Sequence, residues 1–219
     1  MGRRIDQAQD VVYIVEDDDA ARLLFSTIAR SMGLGCEAFA SAAEFLLCCD
    51  ALRPGCLVLD LVMPDVGGLA LQRELIRRGI SIPIIFVTGK GQVATAVEAM
   101  RQGAFNFLEK PFPNSELAEN IQRAIDLDHS HRRTLLRADA IREKLGSLTP
   151  REHDVLNQVI CGRPNKIIAH DLNLSQRSIE MHRSRVMEKM GASSVAELVR
   201  MLVSVESQQR REGPPDTQG

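Results

Sequence analysis

Apolar residues in the first 110 positions come in short unbroken runs, and most of these runs end in a polar residue able to do chemistry. Val11-Val12-Tyr13-Ile14-Val15 leads into Glu16-Asp17-Asp18-Asp19, and Cys56-Leu57-Val58-Leu59 leads into Asp60. Ile84-Ile85-Phe86-Val87 leads into Thr88, and Phe105-Asn106-Phe107-Leu108 into Glu109-Lys110-Pro111. Unbroken apolar runs of this length fit strands buried on both faces, as in a parallel sheet covered by helices. The spacing predicts strands near 11–16, 34–39, 56–60, 83–88 and 105–108. Helices are predicted near 19–32, 41–49, 67–78, 92–102 and 114–128, with Ser41 and Glu44 forming a capping box at the second. Strictly alternating strands and helices imply an α/β unit with a doubly wound parallel sheet over residues 10–128. In such a sheet the functional crevice lies outside the carboxyl ends of the strands, so the polar residues that end the runs converge on one site.

The pattern then changes. Residues 129–146 are charged, free of proline, and carry Leu135, Leu136, Ile141 and Leu145 at roughly helical spacing, which favours a helical linker over a loose tether. Thr149-Pro150-Arg151-Glu152 is a helix start with an N-cap, a first-position proline and a glutamate three residues on. An all-helical unit of four helices follows over 147–204, the last near 194–204. Residues 205–219 have too little apolar surface to fold and are expected to form a disordered tail.

Inside that unit, 165–172, the turn Asn173-Leu174-Ser175 and Gln176 to Met190 trace helix, turn, helix. On a helical wheel Ile179, Val186 and Met190 share a narrow arc that must face a core. Arg177, Glu180, Met181, Ser184 and Glu188 lie opposite, where they would face a DNA major groove. His182, Arg183, Arg185 and Lys189 flank them, placed to straddle phosphates. Spacing alone leaves a plain three-helix bundle with a solvated charged helix equally open.

Charge supports the division. Residues 1–128 hold 12 basic and 18 acidic groups, residues 129–219 hold 15 and 11, and all five histidines lie in the second part. A basic half suits a polyanionic partner. Five cysteines without paired spacing support neither a disulfide framework nor a zinc site. With neither a secretory leader nor an apolar run long enough to span a bilayer, a cytoplasmic protein without membrane association is expected.

Glu16, Asp17 and Asp60 would crowd at neighbouring strand ends, an arrangement costly in Coulomb terms unless a cation sits among them. Oxygen donors alone suit Mg²⁺. Asp60, followed by Met63-Pro64-Asp65 and Gly67-Gly68 that turn the chain away, is left exposed as a nucleophile toward phosphorus, with Thr88 and Lys110 placed to meet the transferred group.

With these residues in view, the stretches VYIVEDDDAAR, SAAEFL, GCLVLDLVMPDVGGLALQREL, IPIIFVTGKG and AVEAMRQGAFNFLEKPF resemble the flavodoxin-like receiver domain of two-component response regulators, most closely the FixJ-like branch. The resemblance implies that Asp60 takes phosphate from a sensor histidine kinase, and that Glu16, Asp17, Asp60 and the backbone carbonyl of Val62 hold Mg²⁺. It implies further that Thr88 and Lys110 bind the phosphoryl group, that the Lys110–Pro111 bond is cis, and that Thr88 and Phe107 form the switch. Permanent core packing is the competing role for Phe107. Glu16 departs from the commoner Asp, Val62 stands where a basic residue is often found, and Lys90 and Gln92 replace a frequent His and Asp. LTPREHDVL, GRPNKIIAHDL and LSQRSIEMHRSRVMEKMGASSVAELV look like a LuxR/NarL-type DNA-binding domain over 147–203. That likeness turns Lys166 and His182 toward phosphates, gives base contacts to Glu180, Met181 and Ser184, and makes the helix after them a dimerisation element.

The expected function is therefore a non-enzymatic, sequence-specific transcription factor that dimerises on double-stranded promoter DNA when Asp60 is phosphorylated, with RNA polymerase a further partner to consider. A phosphate-independent regulator, with the receiver serving only to dimerise, is the alternative. A Mg²⁺-dependent aspartyl-phosphate hydrolase is the remote one.

Overall fold

The computed structural model describes residues 10–48, 53–64, 66–89 and 93–212. The chain divides into two compact units, Met1–His131 and Arg132–Gly219.

In the first unit β1 (Val11–Val15), β2 (Gly35–Phe39), β3 (Gly55–Asp60), β4 (Ile84–Thr88) and β5 (Asn106–Glu109) form one sheet in the order β2-β1-β3-β4-β5. Every pairing is parallel. Helices cover both faces: α2 (Ala42–Cys48), α3 (Gly68–Arg77) and α4 (Val93–Arg101) one face, α1 (Asp19–Ser31) and the first part of α5 (Asn114–Gly146) the other. The period-two alternation of a strand sorts the side chains between them. Tyr13, Val15, Leu57, Leu59 and Phe86 join the core under α2 and α3, while Val12, Ile14, Val58, Ile85 and Val87 pack with Phe25, Ile28, Leu117 and Ile121. The expected doubly wound fold is present, with strand bounds within a residue of those predicted.

Local chemistry fixes the helix starts. Asp18 caps α1 by accepting from the Ala21 N–H at 2.7 Å, which removes one of the four consecutive acidic residues from the site. Ser41 accepts from the Glu44 N–H at 3.2 Å, and the Glu44 carboxylate returns to the Ala40 N–H rather than to Ser41 itself.

The expected helix at 114–128 and the helical linker at 129–146 are one element, α5, of 33 residues. Beyond the boundary between the units it is part of the second core: Ile141 and Leu145 pack with Leu148, Val186 and Met190. That second unit holds α6 (Pro150–Ile160), α7 (Asn165–Asp171), α8 (Gln176–Met190) and α9 (Val195–Glu212). The Thr149/Glu152 capping box opens α6 as expected. Between α7 and α8 the backbone of Asn173 turns left-handed at φ 54°, a conformation asparagine tolerates. Ser175 caps α8 and Gly191, at φ 67°, ends it.

One boundary needs correction. The sequence ends the last helix at 204 and assigns 205–219 to a tail, yet α9 continues to Glu212. Leu198, Met201, Leu202 and Val205 recur at helical spacing, and Leu198 and Val205 are buried, so the apolar seam reaches past the expected end and the helix runs two turns beyond it. Among the described residues no helix is long and apolar enough to cross a membrane.

Candidate functional site

The sheet's register assembles the first site. Val15 pairs with Leu59, so the residues that follow them, Glu16 and Asp60, come side by side between β1 and β3, where the strand order reverses direction. Asp60 pairs with Val87 and Thr88 with Glu109, and the Lys110 N–H donates to the Thr88 carbonyl at 2.8 Å. The four strand ends thus bring Glu16, Asp60, Thr88 and Lys110 together, as the sequence led us to expect. Gly68 makes the sharp exit after Asp60 possible: a Cβ there would sit 2.5 Å from the Asp60 carbonyl oxygen and 2.8 Å from the Phe86 ring.

The Lys110 ammonium donates to Glu16 Oε2 at 2.8 Å and to Asp60 Oδ2 at 3.3 Å. Asp60 Oδ1 accepts from the Val62 N–H at 3.0 Å. Glu16 is 1 % exposed, and its second oxygen, Oε1, is buried with no hydrogen-bond partner. Burial, opposed by the hydrogen bond from Lys110 and reinforced by the charge of Asp60, pushes the Glu16 carboxyl up to about 7. Burial by itself would lower the Lys110 ammonium, but the hydrogen bond to Glu16 and the charges of Asp60 and Glu16 outweigh it and leave the group raised.

Glu16, Asp17 and Asp60 offer three carboxylate oxygens that all lie within 4.8 Å of one another. With the unpartnered buried oxygen of Glu16 among them, these three carboxylates could hold a metal ion, and their all-oxygen chemistry fits a hard divalent one. Asp17 itself is exposed, open to solvent and ligand.

Thr88 is 3 % exposed and its hydroxyl donates to the adjacent Gly89 carbonyl at 3.2 Å. Phe107 pairs with Phe86, two residues before Thr88, so Phe107 and Thr88 share a sheet face on adjacent strands. Phe107 is 38 % exposed, which removes permanent core packing as its role. The Lys110–Pro111 bond is cis. Lys90 and Gln92 lie outside the described residues.

The second unit sorts the α8 residues as the wheel does. Ile179, Val186 and Met190 are buried, while Arg177, Glu180, Met181, Ser184 and Arg185 are exposed, as is Lys166 on α7. His182 is half-buried, with its Nδ1 enclosed and unpartnered. Arg183 donates to the Asn165 side chain at 3.2 Å. Lys189 is exposed, and its ammonium donates to Glu152 Oε2 at 2.7 Å and to the Ser147 carbonyl at 3.0 Å, contacts that brace the domain. A nearly buried acid on another helix captures it, and no local spacing announces a partner 37 residues away.

Residues 12–122 match the response regulator receiver domain, and residues 146–202 match the luxR family of bacterial regulatory proteins. Response regulator protein TodT of Pseudomonas putida is 39 % identical over 199 residues, covering 91 % of this chain and 88 % of that protein. Transcriptional regulatory protein FixJ of Rhizobium meliloti is 42 % identical over 193 residues, 88 % of this chain and 95 % of its own. The solved structure of response regulator StyR is 35 % identical and superposes with a TM-score of 0.80 over 90 % of this chain and 99 % of that one. With both of its units matched and its relatives aligned along most of their lengths, the chain belongs to the two-component response regulators that join a receiver domain to a LuxR-family DNA-binding domain.

Proposed function

We propose that Asp60 accepts a phosphoryl group from a sensor histidine kinase and that the modified receiver drives dimers of the chain onto promoter DNA. The observation that carries this reading is the placement of Lys110 between Glu16 and Asp60, beside a buried carboxylate oxygen that has no partner. One carboxylate oxygen of Asp60 attacks phosphorus, an O–P bond forms, and the N–P bond of the kinase phosphohistidine breaks with its electron pair returning to the imidazole. Glu16, Asp17, Asp60 and the Val62 carbonyl would hold Mg²⁺, which supplies charge neutralisation for the transferred oxygens. Lys110 provides a second positive charge at the same place. The Thr88 hydroxyl, now spent on the neighbouring Gly89 carbonyl, is free to exchange that bond for a phosphoryl oxygen. Phe107, outward here on the same sheet face, follows into the space behind it.

In the second unit the exposed arc of α8 enters the major groove. Glu180, Met181 and Ser184 meet base edges, with Arg177 on the same groove-facing arc, while Lys166, His182 and Arg185 meet phosphates. Pairing two such domains raises the effective concentration of the second without any new contact, so dimerisation is enough to switch occupancy. Incubation with acetyl phosphate and Mg²⁺ tests the scheme. Intact mass should show one phosphoryl adduct, and light scattering should show a shift from monomer to dimer accompanied by tighter DNA binding. An adduct without change in assembly or DNA affinity would leave the receiver as a phosphate-independent module, and steady turnover of phosphomonoesters would make it a hydrolase.

A further inference from the structure

The last turns of α5 and α8 exchange lysines. An α-helix leaves its final carbonyls without intrahelical partners, and at the end of α8 two of these are met locally: the Gly191 N–H donates to Glu188 at 3.0 Å and the Ala192 N–H to Met187 at 3.0 Å. The Met190 carbonyl receives its bond from elsewhere, from the Lys144 ammonium at 3.0 Å in the last turn of α5. In the opposite direction Lys189, in the last turn of α8, donates to the Ser147 carbonyl just past the end of α5. Beneath this pair Ile141 and Leu145 pack in one cluster with Val186 and Met190. A cation at a helix carboxyl end also meets the negative end of the helix dipole. Gly191 leaves room for the lysine, since a Cβ at that position would stand 3.1 Å from the Lys144 nitrogen.

We infer that Lys144 is a positioning residue for DNA reading: it fixes the carboxyl end of α8, and so the angle at which its exposed arc meets the groove, without touching DNA. The proposal rests on the assignment of α8 as the reading helix. Lys144 precedes residues 146–202, the segment matched to the luxR family, so the inference makes the end of α5 a working part of the DNA-binding domain.

The test uses the full chain, a duplex that the parent protein selects from a random pool, and a random duplex of equal length. Lys144→Met keeps the length and apolar stem while removing the donor, and Lys144→Arg restores a donor. The expected result is a roughly three- to tenfold loss of affinity for the selected duplex in Lys144→Met, the size of a modest misplacement of the base-reading side chains. Affinity for random DNA and the salt dependence should hold, the melting temperature should fall by no more than a few degrees, and Lys144→Arg should recover most of the loss in affinity. A salt slope shallower by about one unit would make Lys144 a phosphate ligand and overturn the proposal. Equal losses on both duplexes with a lowered melting temperature would reduce it to a stabilising contact, and unchanged affinities would remove it. Ser184→Ala and Glu180→Ala run alongside. If they alter sequence preference while Lys144→Met loses nothing, the clamp alone fails. If neither alters preference, the assignment of α8 fails and takes the clamp with it.

Discussion

Lys110 lies closer to Glu16 than to Asp60, at 2.8 Å against 3.3 Å. The lysine's shorter bond is therefore to the deeply buried acid rather than to the carboxylate proposed to accept phosphate. Glu16 remains under-satisfied even so, with one oxygen unpartnered. A divalent ion that took over Glu16 would release Lys110 toward Asp60 and whatever group is transferred there.

Replacing Asp60 with asparagine should abolish covalent phosphorylation and leave the fold intact. The amide keeps the volume and can still accept from the Val62 N–H, but it cannot act as a nucleophile. Intact-mass spectrometry after acetyl phosphate treatment is the measurement, and a full adduct on the variant would place the acceptor elsewhere.

Mg²⁺ should stabilise the receiver, because the three carboxylates oppose one another and the ion binds only their folded arrangement. At about ten times its dissociation constant the gain is about 1.4 kcal/mol, enough to raise the melting temperature by several degrees. Asp17→Asn should shrink the rise. No shift in the parent protein at millimolar Mg²⁺ would count against the metal site.

Lys166→Ala should weaken binding to selected and random DNA alike and make the salt slope shallower by about one unit, since one fewer counterion is released. Ser184→Ala and Glu180→Ala should instead change sequence preference, at about 1–3 kcal/mol where a base contact is lost. Selections from randomised duplexes separate the two behaviours, and parental preference at every position in both variants would place the reading face elsewhere.

Acid should weaken the second unit through Glu152. Its hydrogen bond from Lys189, helped by that from the Thr149 backbone, holds the carboxyl down from 4.5 to about 2. A folded-state value below the unfolded one means that the contribution is present above about pH 4.5 and is lost as pH falls toward 2. Amide exchange in α6 and α8 should therefore be faster in Glu152→Gln than in the parent at pH 6, and the difference should close near pH 2. A difference that persists undiminished into acid would assign the effect to lost packing.

The strand ends were legible from sequence because burial on both faces leaves a parallel strand little freedom but to be apolar throughout, so the polar residue that breaks each run announces itself. Capping residues announced the helix starts equally well, as Thr149 with Glu152 illustrates. Side-chain contacts across the fold were another matter. Lys189 and Arg185 both flank the exposed arc of α8, yet only Lys189 is taken by Glu152. Glu152 was readable as half of a capping box and not as an ion-pair partner. Lys144 carried no signal of its own, because a lysine near a helix end is commonplace. The extension of α9 was readable in principle from the spacing of Leu198, Leu202 and Val205, but the polar residues that follow masked it.

The unpartnered oxygen of Glu16 has a consequence for anyone engineering this chain. Crowded, half-satisfied acids cost stability in the unliganded protein, so neutral residues at positions 16 and 17 would look like improvements in any heat-based screen run without divalent cations. Such a screen would enrich hardier variants that have lost the proposed metal site. If the acids hold Mg²⁺ as proposed, adding the ion to the selection reverses its direction, because the same acids then become assets.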